Sequence, residues 1–265
     1  MRTLFISLAV VPAIAMAQTP FSIGEVHRVQ SRVLGEERIL NIALPQGYSA
    51  DDTTRYPVVY LLDGSADEDF IHIAGLFQFA AFEWIAWQRP AIVVGIANTD
   101  RRRDLAHPTT IAADKEKFPT TGGSANFMDF LANEVIPFVE ARYRIAPDRL
   151  LIGQSLGGLF AAEVLLKRPE LFDRYLIVSA SLWWDNGSLL KVPPAFLNDP
   201  AKAPKQVYIA VGKEGAVMEQ GARKLAAIAK KSTGTRVHFS FLKDHDHANI
   251  LHRAALDAVR WMGGK

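Results

Sequence analysis

The chain has 265 residues, 49% of them hydrophobic, with a formal net charge of +2 and no cysteine. That length suits one domain with a large core, and the apolar share excludes a disordered chain. The near-balanced charge excludes a polyanion track along nucleic acid, and the lack of cysteine excludes disulfides, a thiol nucleophile and cysteine lipidation.

In chain order, the first segment reads as an export signal. Arg2 supplies a positive start, Leu4 to Ile14 an apolar stretch, and Ala15-Met16-Ala17 a small-x-small cleavage site. Residues 1–17 are therefore expected to be removed, leaving 18–265 as the folded domain. The apolar run is too short to span a bilayer, so no stable membrane anchor is expected. Glu25 to Arg32 and Arg38 to Leu44 alternate apolar and polar residues, as an antiparallel edge pair would. Tyr56 to Leu62 and Ala91 to Ile96 are continuous apolar runs, the pattern of buried strands. Phe70 to Trp87 is apolar at helical spacing, which places Phe82, Trp84 and Trp87 in the core. Residues 97–123 carry Pro108, Pro119, Gly122 and Gly123 and no long period, so a long functional loop is expected. Phe127 to Arg142 reads as a helix. Strands then follow at Arg149 to Ile152, Arg174 to Val178, Gln206 to Val211 and Arg236 to Leu242, separated by helices at Gly158 to Lys167 and Glu219 to Lys231 and closed by one at Asn249 to Trp261.

Strands alternating with helices predict an α/β fold: one domain with a mostly parallel central sheet flanked by helices on both faces. Ligands of such sheets bind beyond the carboxyl ends of the strands. There, Gly153-Gln154-Ser155-Leu156-Gly157 spells G-x-S-x-G between a strand and a helix. This is the nucleophile elbow of an α/β-hydrolase, in which a strained turn exposes the serine hydroxyl at a helix N-terminus. A serine hydroxyl needs a base to become a nucleophile, and the base needs a partner that fixes its tautomer. Glu214 follows the 206–211 strand, and His245 and His247 follow the last strand, in the Ser, acid, His order of that fold. His247 lies deeper in its loop and is the better-placed base. Glu214 is the first choice of acid, with Asp246 and Glu219 as alternatives. An oxyanion hole needs two backbone N–H groups: Leu156, directly after the serine, and Gly64 or Ser65 after the Tyr56–Leu62 strand. No metal cluster, dinucleotide fingerprint or P-loop is present in the sequence, so no cofactor is expected.

Several segments together resemble the putative-esterase family: Tyr56 to Gly64, Val93 to Arg101, Tyr143-Arg144-Ile145, Gly153 to Gly158, Ser179 to Asp185 and Asp246 to Asn249. This family includes S-formylglutathione hydrolases, feruloyl esterases, mycolyltransferases and siderophore trilactone esterases. The resemblance implies Ser155 as nucleophile and His247 as base in a secreted or periplasmic esterase. The Asn98 to Arg101 and Trp183 to Asp185 loops lean toward the siderophore branch. The family often places its acid where this chain has Gly215, so a Ser–His pair held by a backbone carbonyl stays open beside Glu214. An acyltransferase on the same site and a silent binding protein on this fold also stay open. The expected partner is a small-molecule ester. Trp183, Trp184, Arg101 and Arg103 are the expected substrate contacts, offering an aromatic wall and positive charge to an anionic aromatic ester. Adjacent Trp183 and Trp184 on extended backbone would point opposite ways, so only one is expected to line the pocket. Alternatively both are core and Asp100 and Asp104 neutralise the arginines. His107 in the long loop is a further candidate contact.

Overall fold

The computed structural model describes residues 21–264, so the segment 1–17, read from the sequence as an expected export signal, lies outside the described residues. Eight strands form one sheet: β1 (Glu25–Gln30), β2 (Glu37–Ala43), β3 (Tyr56–Leu61), β4 (Ile92–Ile96), β5 (Ile145–Gln154), β6 (Arg174–Val178), β7 (Gln206–Gly212) and β8 (Arg236–Leu242). Their order is β1-β2-β4-β3-β5-β6-β7-β8. β2 runs antiparallel to both neighbours, and every pairing from β4 to β8 is parallel. The edge pair and the parallel body are those read from the sequence.

β3, β4, β6 and β7 are buried at every residue. A sheet buried on both sides needs a helical layer on each. Side chains alternate between the two layers. Tyr60, Leu151 and Ile177 pack with Phe130, Phe160 and Leu225 from helices on one face. Val59, Ile152 and Val178 pack with Ile73, Phe77, Ala254 and Ala258 from the helices Phe70–Ala80 and Ile250–Met262 on the other. No described helix is long and apolar enough to cross a membrane.

Three segments differ from the sequence reading. The helix expected to reach Trp87 stops at Ala80. The chain doubles back through Ala86 (φ 48°), and the N–H groups of Trp87 and Gln88 cap the Ala80 carbonyl at 2.9 and 3.1 Å. Trp84 is consequently 77% exposed rather than core. The 97–123 segment contains two short helices, Arg101–Asp104 and Ala112–Lys117. The helix expected from Phe127 starts at Ser124 and widens to a π turn at Leu131–Val135, just before Pro137, which has no N–H to donate back. Inside that π turn, the Glu134 carboxylate accepts the Ser31 hydroxyl at 2.5 Å and the Arg32 N–H at 2.8 Å, tying the end of β1 to the helix.

Candidate active site

The parallel strands deliver their carboxyl ends to one edge, and four of them meet there. β5 turns into the helix Leu156–Lys167 at Ser155, whose backbone sits at φ 59°, ψ −116°. That left-handed conformation costs a non-glycine residue about 1–3 kcal/mol and holds the hydroxyl out of the turn. The flanking glycines are sterically required. A Cβ on Gly153 would sit 2.3 Å from the Gly157 carbonyl oxygen, and one on Gly158 would meet the Ala180 backbone at 2.9 Å.

His247 comes from the loop between β8 and the helix Ile250–Met262. Its Nε2 accepts the Ser155 hydroxyl at 2.9 Å, and its Nδ1 donates to Glu214 Oε2 at 2.6 Å. Gln154, next to the serine, donates through Nε2 to the His247 carbonyl at 2.6 Å, so the elbow itself holds the histidine loop. The Glu214 side chain is only 3% exposed, against 46% for His247. Its second oxygen accepts the Gly212 N–H at 2.9 Å and the Ser179 hydroxyl. Burial works to raise the Glu214 carboxyl, but the hydrogen bonds from His247, Ser179 and Gly212 outweigh it and hold it below its ordinary value. The hydrogen bond to Glu214 in turn raises His247 above its ordinary value, overcoming burial and the nearby Arg101 charge.

The alternatives to these residues have other partners. His245 pairs its Nδ1 with Asn249 Oδ1 at 3.1 Å. Asp246 caps the N–H groups of Ala248 and Asn249 at 3.0 and 3.2 Å. Glu219 lies on the helix Ala216–Ala229.

Of the three expected oxyanion donors, Gly64 is corrected. Its N–H is spent on the Ile96 carbonyl at 3.0 Å, and its missing Cβ lets the backbone beyond β3 pass close against Gly95 of β4. Leu156 is the first residue of its helix, where an N–H has no acceptor within the helix. Ser65 N–H meets only the Glu68 side chain, at 3.2 Å.

The expected substrate contacts divide. Trp183 is 37% exposed and lines a cleft of about 410 Å³ with Ser155, His247, Lys213 and Met218. Trp184 is fully buried, donates its indole N–H to the His107 carbonyl at 2.8 Å and leans on Phe118. One tryptophan at the cleft and one in the core is the expected division. The reason differs: Trp183 is in a helical turn (φ −74°, ψ −17°), not on extended backbone. His107 is buried and serves this packing rather than the cleft. Asp185 ties the same loop down by accepting from the Thr109 and Thr110 hydroxyls and the Thr110 N–H. Arg103 is also corrected: it grips Glu36 and Asp104, and Asp104 is shared with the buried Arg38 at 2.6 Å. Arg101 makes a bidentate pair with Asp63 at 2.6 and 2.9 Å behind the elbow and reaches the Gln154 carbonyl at 3.4 Å, so it is tied to the scaffold through Nε and one terminal nitrogen. Asp63 (φ 54°) also receives Asn98 Nδ2 at 2.7 Å. The positive charge facing the cleft is Lys213, whose only sequence signal was its place beside Glu214 at a strand end. Ser179 and Gln154 sit at strand ends inside the motifs that resemble the family, but hydroxyl and amide side chains there are common and only the fold gives them partners.

A serine, an imidazole and a buried carboxylate in hydrogen-bond sequence at the carboxyl edge of this sheet have the arrangement that an α/β-hydrolase site requires. A family model described as Putative esterase matches residues 31–252; the chain belongs to that family and is an ester hydrolase. It is 28% identical over 260 residues to the ferri-bacillibactin esterase BesA of Bacillus subtilis, covering 89% of this chain and 88% of that one. It is 32% identical over 184 residues to the siderophore triacetylfusarinine C esterase of Aspergillus fumigatus, covering 62% of this chain and 58% of that one. Among solved structures, an IroE-like serine hydrolase from Shewanella oneidensis superposes with a TM-score of 0.80 at 30% identity, covering 91% of this chain and 80% of that one.

Proposed function

We propose that this chain is an exported serine esterase that opens siderophore-type esters through an acyl-enzyme. The observation that carries the reading is the continuous chain Ser155 Oγ, His247, Glu214 at 2.9 and 2.6 Å. His247 Nε2 takes the Ser155 proton as Oγ bonds to the ester carbonyl carbon. The carbonyl oxygen becomes an oxyanion, held by the N–H groups of Leu156 and Ser65, the latter leaving Glu68. Collapse breaks the ester bond, and the imidazolium gives its proton to the departing alkoxide. Water then attacks the acyl-serine with His247 again as base, releasing the acid and restoring the serine. Glu214 holds the Nδ1–H tautomer and stabilises the imidazolium in both halves. An alcohol in place of water would make the same site an acyltransferase; a hydroxylated acceptor that raises turnover would favour that reading.

Export rests on the N-terminal pattern of residues 1–17. The substrate class rests on the siderophore esterases among the relatives and on the cleft itself, where Trp183 offers an indole face, Met218 a thioether and Lys213 a charge. These suit an anionic ester with aromatic acyl groups. A fluorophosphonate probe should add one tag on the peptide carrying Ser155; folded protein that takes no tag there refutes the serine mechanism. For the substrate, Trp183→Ala should lower kcat/KM on a catecholate trilactone by about tenfold, the size of one lost aromatic contact. The same change should leave p-nitrophenyl butyrate within about twofold, since a short acyl chain has little to stack. Equal losses on both esters, or a trilactone no better than butyrate, would refute the siderophore assignment and leave a general esterase.

A further inference from the structure

The helix that stops early leaves an unexplained surface. Trp84 stands 77% exposed and stacks on Phe82, with ring centroids 4.7 Å apart. Phe82 meets Phe79 at 6.2 Å, and Phe79 meets Trp87 at 5.7 Å, so the four rings form one continuous ridge. Trp87 is also a wall of a depression of about 740 Å³ at the starts of β6, β7 and β8. Arg89, Arg174, Lys205 and Arg236 line this depression, against one acid, Asp148. Arg174 is committed to Asp148 and Lys205 to Asp173, at 2.8 Å each. Arg89 and Arg236 have no carboxylate partner among the described residues: Arg89 donates to a backbone carbonyl, and Arg236 lies over the Trp261 ring. Arg260 lies over Trp87 in the same way.

Strand direction places this surface at the opposite end of the molecule from the cleft. The catalytic residues follow β5, β7 and β8, while Arg174, Gln206 and Arg236 open β6, β7 and β8. At about 3.3 Å per residue, the seven residues of β7 put roughly 20 Å between the two ends.

An exposed tryptophan on an aromatic ridge is adapted to a boundary that is apolar on one side and wet on the other. Arginines without acidic partners beside such a ridge complement a negatively charged headgroup layer. A soluble anion would use the cations but would leave Trp84 with nothing to cover it. The geometry points to a docking surface for an anionic lipid bilayer: Trp84 and Phe82 enter the interface, Arg89, Arg236 and Arg260 meet the phosphates, and the catalytic cleft faces away into solvent.

The test is co-sedimentation of the full chain with sucrose-loaded vesicles of phosphatidylcholine alone, or with about one third phosphatidylglycerol. Pelleting is expected only with phosphatidylglycerol and should weaken at high salt. Trp84→Ser and Arg236→Glu should each reduce the bound fraction by about tenfold. Both variants alter exposed positions remote from the cleft, so unchanged turnover of p-nitrophenyl butyrate certifies their fold. The proposal is overturned if phosphatidylglycerol makes no difference, or if neither substitution lowers binding. It is equally overturned if glycerol phosphate binds while vesicles do not pellet, which would make the depression a small-anion site. Concentration-dependent dimers abolished by Trp84→Ser, without pelleting, would overturn it in favour of a second copy of the chain.

Discussion

Replacing His247 with alanine is expected to lower kcat on any ester by about a thousandfold or more, while His245→Ala costs less than about tenfold. The two histidines are two residues apart in one loop, and the contrast follows from what each ring touches. The His247 ring bonds Ser155 through Nε2 and Glu214 through Nδ1, so its loss leaves the hydroxyl with no base and the carboxylate with no partner. The His245 ring bonds only Asn249. What His245 gives the site is its backbone: its carbonyl accepts the Lys213 N–H at 2.7 Å and so fixes the acid loop, a contact that alanine keeps. KM should change little in His247→Ala, because the ring acts on the proton in flight and not on the bound ester. Steady-state kinetics on p-nitrophenyl butyrate for both variants, with labelling of Ser155 as a second readout, checks the assignment. Comparable losses for the two variants would refute it, and a larger loss for His245→Ala would move the base there.

What could be read from the sequence, and what could not, divides by the range of the interaction. Buried parallel strands have no polar face, so β3, β4, β6 and β7 stand out as apolar runs between helices, and the α/β sheet follows. The elbow is equally local, since Gly153, Ser155 and Gly157 constrain one turn of backbone. Residues whose work depends on a partner far along the chain are harder. The three consecutive arginines look alike in sequence, yet Arg101 meets Asp63, Arg103 meets Glu36 and Asp104, and Arg102 lies over Phe118. Asp104 is a neighbour on the same short helix and one of the two flanking acids expected as neutralising partners, but Asp63 and Glu36 lie far along the chain, so only the fold assigns Arg101 and Arg103 to the scaffold rather than the cleft. Gly64 fails in a different way. Glycine after a strand fits both a close backbone approach and an exposed donor, and only the Gly95 backbone, 2.4 Å from where a Cβ would be, shows that the approach is the reason. The helix expected through Trp87 is the same lesson at a longer range: apolar spacing continues past Ala80 because the returning chain also carries aromatic residues, not because the helix does.

Glu214→Gln should lower kcat by at least about tenfold, toward roughly 10⁴-fold, while leaving the fold intact. The substitution keeps the shape but replaces an acceptor-only oxygen pair with an amide. The imidazolium that the proposed mechanism forms in each half-reaction would lose its counter-charge, and the amide can present a donor to Nδ1, favouring the wrong tautomer. The pH profile supplies an independent readout with a definite sign. In the proposed mechanism activity requires neutral His247, so kcat/KM should fall as pH drops through the His247 pKa. In the wild type the hydrogen bond to Glu214 raises that pKa above its ordinary 6.5, with burial opposing and the Glu214 charge adding to the rise. Removing the carboxylate deletes the two contributions from Glu214, the largest one among them, and leaves burial and the Arg101 charge acting downward against the smaller upward pull of the Asp246 charge. The acid limb of the variant should therefore lie at lower pH than that of the wild type, even as its plateau drops. A purely structural role for Glu214 would lower the plateau without moving the limb. An unchanged plateau and an unchanged limb would mean that the imidazole is oriented by another group, as in a Ser–His pair held by a backbone carbonyl. Glu219→Gln, on the neighbouring helix, is the matched control and should change neither quantity, because that carboxylate has no bond to His247.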